Sequence, residues 1–191
     1  MKRITLIAFA AAFAANTAAT AGEIDWNYLE AEYIGGKLES DANVDGVGIS
    51  LFANPTGQVL LSGDFQYLSI EDIDFGGDID VYSISLGTGY YFPLTDNFHL
   101  VAELNGHYSW DEFDDDEFGF AVGPGVRWQA TDRIELAVST YYTYGEETDS
   151  GFDASAGTVI DITENLSFIG GYIYGDGADL YYAGLQIPFG R

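Results

Sequence analysis

The side chains able to do chemistry in this sequence are mostly carboxylates: 31 Asp and Glu stand against six Lys and Arg, two His and no Cys, for a formal net charge of −25. Carboxylates can relay protons or bind hard cations such as Ca²⁺ and Mg²⁺ through oxygen. His99 and His107 are eight residues apart on one alternating segment. At about 3.4 Å per residue along a strand they are separated by roughly 27 Å, too far to share a site. A hydrolase needs Ser, His and acid groups converging on one substrate atom. Without such convergence no catalytic residue is assigned, no cofactor is expected, and the chain reads as non-enzymatic, with His107 a hydrogen-bonded filler.

Much of the acid falls in clusters: Glu71, Asp72, Asp74 and Asp78; Asp111, Glu112, Asp114, Asp115, Asp116 and Glu117; Glu146, Glu147 and Asp149. The second cluster is the candidate cation-binding run. It contains no complete D-x-D-x-D-G-x₅-E loop, so it specifies no metal, and a solvated anionic rim is the simpler reading. The charge balance repels phosphate backbones and excludes nucleic acid as a partner.

The elements that must position these groups begin after residue 21. Lys2 and Arg3 precede an apolar run from Ile4 to Ala14, and Ala19-Thr20-Ala21 fits a signal-peptidase site. The run is shorter than the roughly 20 residues of a spanning helix, so residues 1–21 read as a cleaved signal peptide and residues 22–191 as one domain. Its basic side chains are Lys37, Arg127, Arg133 and Arg191. Without Cys, an exported domain must be stable without disulfides.

Period-two alternation fills the rest of the chain in ten segments, approximately 26–35, 44–54, 58–70, 78–92, 97–110, 117–130, 133–145, 151–162, 166–175 and 179–189. Their length suits tilted membrane strands. One face is apolar and the other holds Gly, Ala, Ser and polar residues, as in Phe118, Phe120 and Val122 against Gly119, Ala121 and Gly123. Aromatic residues gather at the segment ends: Tyr33, Tyr67, Tyr82, Tyr108, Phe118, Tyr144 and Tyr174 at one, Phe52, Tyr90, Phe98, Trp128, Phe168 and Phe189 at the other. That is the girdle pattern of a membrane interface.

Turns at Asn54-Pro55-Thr56-Gly57, Leu94-Thr95-Asp96-Asn97, Ala130-Thr131-Asp132-Arg133 and Ile162-Thr163-Glu164-Asn165 use residues that bond their own backbone. The intervening connections, 36–43, 71–77, 111–116, 146–150 and 175–178, are the acidic ones. The fold class expected is therefore all-β, a closed antiparallel transmembrane β-barrel of ten strands, or eight if 151–175 does not form two. Both termini and the tight turns face the periplasm, with longer loops outside.

Strand parity turns Glu30, Glu32, Asp64, Glu103, Arg127 and Glu135 inward. Glu103, Arg127 and Glu135 form a candidate charge cluster, an arginine clamped between two carboxylates, because a lone buried charge is costly. Glu30, Glu32 and Asp64 have no basic partner in view and are the candidate pore-lining groups. The Gly-rich inner faces of the second, fourth and sixth strands are where a narrow pathway would open.

The stretch from Asn27-Tyr28-Leu29-Glu30-Ala31 through Gly125-Val126-Arg127-Trp128 to the final strand resembles the OmpA-like superfamily of small outer-membrane barrels, and within it a family of short, acidic barrels described from xanthomonads and relatives. The resemblance implies an outer-membrane barrel or porin-family protein. Tyr182-Ala183-Gly184-Leu185-Gln186-Ile187-Pro188-Phe189 resembles the C-terminal signal read by the barrel-insertion machinery, although the chain continues with Gly190 and Arg191. The expected protein is a monomer in the outer membrane whose acidic rim meets cations and lipopolysaccharide. The alternative is a narrow cation-selective pore.

Overall fold

The computed structural model describes residues 24, 26–38, 40–72, 77–113, 115–145, 150–175 and 177–189. The expected signal peptide, and Asp74, Asp114, Glu146, Glu147 and Asp149 of the acidic clusters, lie outside the described residues.

Ten antiparallel strands close into one barrel, each paired with its sequence neighbours and β1 paired with β10. They are β1 Tyr28–Leu38, β2 Asn43–Thr56, β3 Val59–Asp72, β4 Gly77–Thr95, β5 Phe98–Asp111, β6 Asp116–Thr131, β7 Ile134–Gly145, β8 Gly151–Thr163, β9 Leu166–Gly175 and β10 Ala178–Pro188. The 151–175 region does form two strands. Closure removes every sheet edge, which is what a bilayer demands of backbone hydrogen bonds.

The alternation sets which side chains meet which medium. Leu86, Leu104, Leu136, Val138, Phe120 and Ile187 point outward and are exposed, while Ser85, Arg127 and Gln186 point inward and are buried. An exterior this continuously apolar suits lipid and would not be soluble in water. Of the girdle aromatics, Phe52 is the exception. It points inward, is 3 % exposed and stacks on Tyr28 with ring centroids 4.8 Å apart.

The tight turns share one construction. Thr95, Thr131 and Thr163 end their strands, a two-residue loop follows, and each Thr pairs with the apolar residue three positions later, past a one-residue register shift. The Thr131 and Thr163 hydroxyls accept the N–H groups of Arg133 and Asn165, both at 3.3 Å. The fourth turn is displaced from its expected position: β2 continues to Thr56 and the loop is Gly57-Gln58. Gly57 takes φ 56, and Asn54 Nδ2 donates to its carbonyl at 2.8 Å. Both ends of the barrel sequence, Asn27 and Phe189, lie at this end, where Phe189 N donates to Asn27 O at 2.9 Å.

At the opposite end four of the five connections are shorter than expected, because acidic residues read as loop are absorbed into the strands: Glu71 belongs to β3, Asp111 to β5 and Asp116 to β6.

Candidate functional site: the barrel lumen and its acidic rim

The lumen is filled, and the sequence explains how. Side chains fill the interior of a barrel of this size, and several of them lie over a glycine on a neighbouring strand. Leu68 covers Gly46, Glu32 covers Gly48, Asn105 covers Gly87, Glu103 covers Gly89, His107 covers Gly119 and Tyr141 covers Gly123. These glycines are the inner faces of β2, β4 and β6. Among the described residues these glycines, where an opening was expected, are slots occupied by neighbouring side chains.

At the loop end the filling is apolar. Ile34, Val44, Leu68, Ile70, Val81, Ile173, Leu180 and Tyr182 form one buried cluster contributed by β1, β2, β3, β4, β9 and β10. Sequence parity missed it, because these inner positions were expected to be small or polar. The available signal was a break in alternation: in Tyr33-Ile34, Tyr67-Leu68, Tyr172-Ile173 and Leu180-Tyr181-Tyr182 the first face and the second are both apolar.

At the turn end the chain preceding β1 enters the lumen. Trp26 stacks on Tyr91 with centroids 4.9 Å apart, and Ile24 and Trp26 pack with Leu60 and Val101. The Arg127 guanidinium carbon lies 4.1 Å from the centroid of the Trp26 ring, a favourable cation–π placement. His99 stacks on Tyr91 at 5.2 Å, whereas His107 lies further along β5 over Gly119. Asn27 fixes the segment, its Oδ1 accepting Asn54 N at 2.9 Å.

Arg127 is ion-paired, but to one carboxylate. Its Nε donates to Glu135 Oε1 at 2.5 Å, with both side chains buried. Glu103 is bound differently, accepting the Tyr141 hydroxyl at 2.5 Å. The expected clamp is therefore a pair plus a neighbour. Glu103 feels the Arg127 charge without bonding to it, and so does Glu30, which was expected to have no basic group near it. A void of about 20 Å³ beside Trp26, Glu103, Arg127 and Tyr141 has room for about one water.

Between the two fillings lies a polar layer. Gln186, Glu30, Ser50 and Asp64 occupy one register row across β10, β1, β2 and β3, with Glu32 and Gln66 in the next row. Both carboxylate oxygens of Glu30 and Glu32, Oδ1 of Asp64, the Ser50 hydroxyl and both ends of the Gln66 and Gln186 carboxamides are buried with no hydrogen-bond partner.

On the rim, the described residues of the run from Asp111 to Glu117 are put to separate uses. Asp111 Oδ1 holds its own turn by accepting Phe113 N at 2.8 Å and Asp115 N at 3.1 Å. Asp116 accepts Tyr108 OH at 2.7 Å, and Glu112 and Asp115 project into solvent. Glu117 leaves the rim, pointing into the lumen within electrostatic reach of His107. Among the described residues, no three His, Cys, Asp or Glu side chains are placed to share a metal ion.

Another pattern sits on the exterior just below the rim. Three tyrosines donate to an aspartate nearer the loop on the following strand, Tyr33 to Asp45, Tyr67 to Asp80 and Tyr108 to Asp116, and Tyr172 stands in the same register relation to Asp179. In each pair the aspartate lies two register positions closer to the loop than the residue opposite the tyrosine.

No protein-family model matches the sequence, and no curated protein does. Solved structures match in fold. The β domain of the Bordetella autotransporter BrkA aligns with TM-score 0.56 at 11 % identity, over 86 % of this chain and 99 % of that one. An outer membrane channel from Pseudomonas putida F1 aligns at 0.52 and 8 % identity, over 90 % and 98 %. The transport unit of the Escherichia coli autotransporter AIDA-I aligns at 0.51 and 11 % identity, over 87 % and 90 %. The chain has the fold of an outer-membrane β-barrel.

Proposed function

We propose that this is a non-enzymatic outer-membrane barrel, closed at rest, whose acidic end faces outward and engages lipopolysaccharide through divalent cations. Tight turns and both chain ends then face the periplasm, in the usual orientation of such barrels. The monomer is inserted by the assembly machinery reading the segment Tyr182–Phe189, which closes the barrel as β10.

The observation that carries the reading is the repeated tyrosine-to-aspartate pairing. It fixes outward carboxylates at the level where an aromatic girdle meets lipid headgroups. Anionic headgroups repel such carboxylates unless a hard cation bridges the two. The test is binding of the refolded protein to vesicles containing lipopolysaccharide, with Ca²⁺ and then with chelator. Binding that needs Ca²⁺ and falls when Asp45, Asp80, Asp116 and Asp179 become Asn supports the reading. Binding indifferent to both rejects it.

A second reading, a gated cation-selective conduit, is favoured by the inward carboxylates Glu30, Glu32 and Asp64, and a structural neighbour is described as a channel. Planar-bilayer recording separates the two: the closed barrel gives no steps, whereas a conduit gives cation-selective steps that fall when these three become amides.

A further inference from the structure

We infer that the lumen holds one hard divalent cation of the calcium class between Glu32 and Asp64, beneath the apolar cap. The inference does not depend on what the rim binds.

Glu32 and Asp64 lie within electrostatic reach of each other on β1 and β3, with Gly48 of β2 between them. A Cβ on Gly48 would sit 2.9 Å from Glu32 Oε1 and 3.5 Å from Gln66 Cγ, so both side chains lean over the same bare backbone. Gln66 is fully buried, and neither end of its carboxamide is bonded within the protein. Ser50, equally buried, adds an unbonded hydroxyl in register with Asp64. Glu32 and Gln66 thus crowd one strip of backbone with polar atoms that no partner in the protein bonds, and buried polar groups are rarely left so.

Charge makes the same demand. Arg127 is committed to Glu135 at the turn end, and like charges buried together without a counter-charge are strongly disfavoured. Two carboxylates balance one divalent ion. A carboxamide oxygen, a hydroxyl and water complete the six to eight oxygens that calcium accepts in irregular geometry, whereas magnesium demands a near-ideal octahedron.

The site is occluded. Ile34, Leu68, Leu180 and Tyr182 close it toward the loops, and Trp26 closes the lumen toward the turns. An ion bound there enters as the barrel folds and leaves slowly, unlike any ion on the rim.

To test this, the full chain is refolded in detergent with Ca²⁺ and stripped over a chelating resin, and retained calcium is counted against protein. One ion per barrel is expected to survive in the wild type and in the rim variant Asp115→Asn/Asp116→Asn, and none in Glu32→Gln/Asp64→Asn. Trp26→Ala should accelerate loss to chelator by tenfold or more. A wild type that retains no calcium, a double amide variant that retains as much as wild type, or calcium lost with the rim variant would each overturn the inference. Should the amide variant not fold, the wild-type count and the Trp26→Ala release rate decide, and an unchanged rate overturns it.

Discussion

At the loop end the lumen is filled by Ile34, Val44, Leu68, Ile173, Leu180 and Tyr182, whereas at the turn end it is filled by Trp26, Tyr91, His99, Arg127 and Glu135. The first filling is held by apolar burial, which is additive and tolerant of exchange between shapes of similar volume. The second adds to a smaller apolar cluster of Ile24, Trp26, Leu60 and Val101 one buried ion pair, which fails as a unit when a member is removed. A barrel interior can therefore be closed by two kinds of chemistry within one short tube, and the two should respond differently to the same kind of substitution.

The largest effect is expected at the turn end. Arg127→Ala leaves Glu135 buried without its cation, with Glu30 and Glu103 nearby, and should cost about 3–5 kcal/mol in denaturant unfolding from lipid or detergent. The double replacement Arg127→Met/Glu135→Leu should recover most of that loss, since an apolar pair of similar volume needs no counter-charge. If the double variant is as unstable as the single one, the turn end is held by shape, as the loop end is, and the contrast disappears.

At the loop end, Leu68→Ala should cost about 2–5 kcal/mol, the range for a cavity left in a packed core. Leu86→Ala on the lipid face should change stability by roughly 0.5 kcal/mol or less, as at other exposed positions. Equal losses at the two sites would mean that the apolar cap is not a packed core. A smaller effect, about 1–3 kcal/mol, is expected for Gly123→Ala, whose methyl group would collide with Tyr141 and the Thr140 backbone. Its measured cost would show how tightly the glycine slots grip the side chains laid over them.

The strands, their order and the inward parity of the charged residues were legible because a membrane barrel repeats one rule, and a repeated Thr-containing turn pins the register. The lumen was harder to read. Glu30 is separated from Arg127 by about half the chain length and comes within reach of its charge across a closed cylinder, and no local spacing encodes that approach. Parity could place Glu103 and Glu135 beside Arg127 but could not say that Tyr141, from β7, would take Glu103 for itself. The glycines misled for a physical reason. A bare backbone looks like open space in one strand, yet it is the neighbour's long side chain that decides whether the space is occupied. Trp26 was read as the start of a strand because alternation does not register a chain that turns inward before pairing begins.

The turns also impose a mechanical condition on any opening of the lumen. The carbonyls of Gln58, Asn97 and Arg133, each the second residue of its turn, accept the N–H groups of Tyr91, Gln129 and Asp161 on the next hairpin, at 2.9–3.0 Å. Adjacent hairpins from β2 to β8 are thereby stitched beyond their ladders, and the Phe189 N to Asn27 O bond ties the two ends of the sheet. A rim braced along this arc resists dilation, so this end would have to open as a stoppered bottle does. Its aperture changes by withdrawing Trp26 along the axis, while the wall keeps its radius.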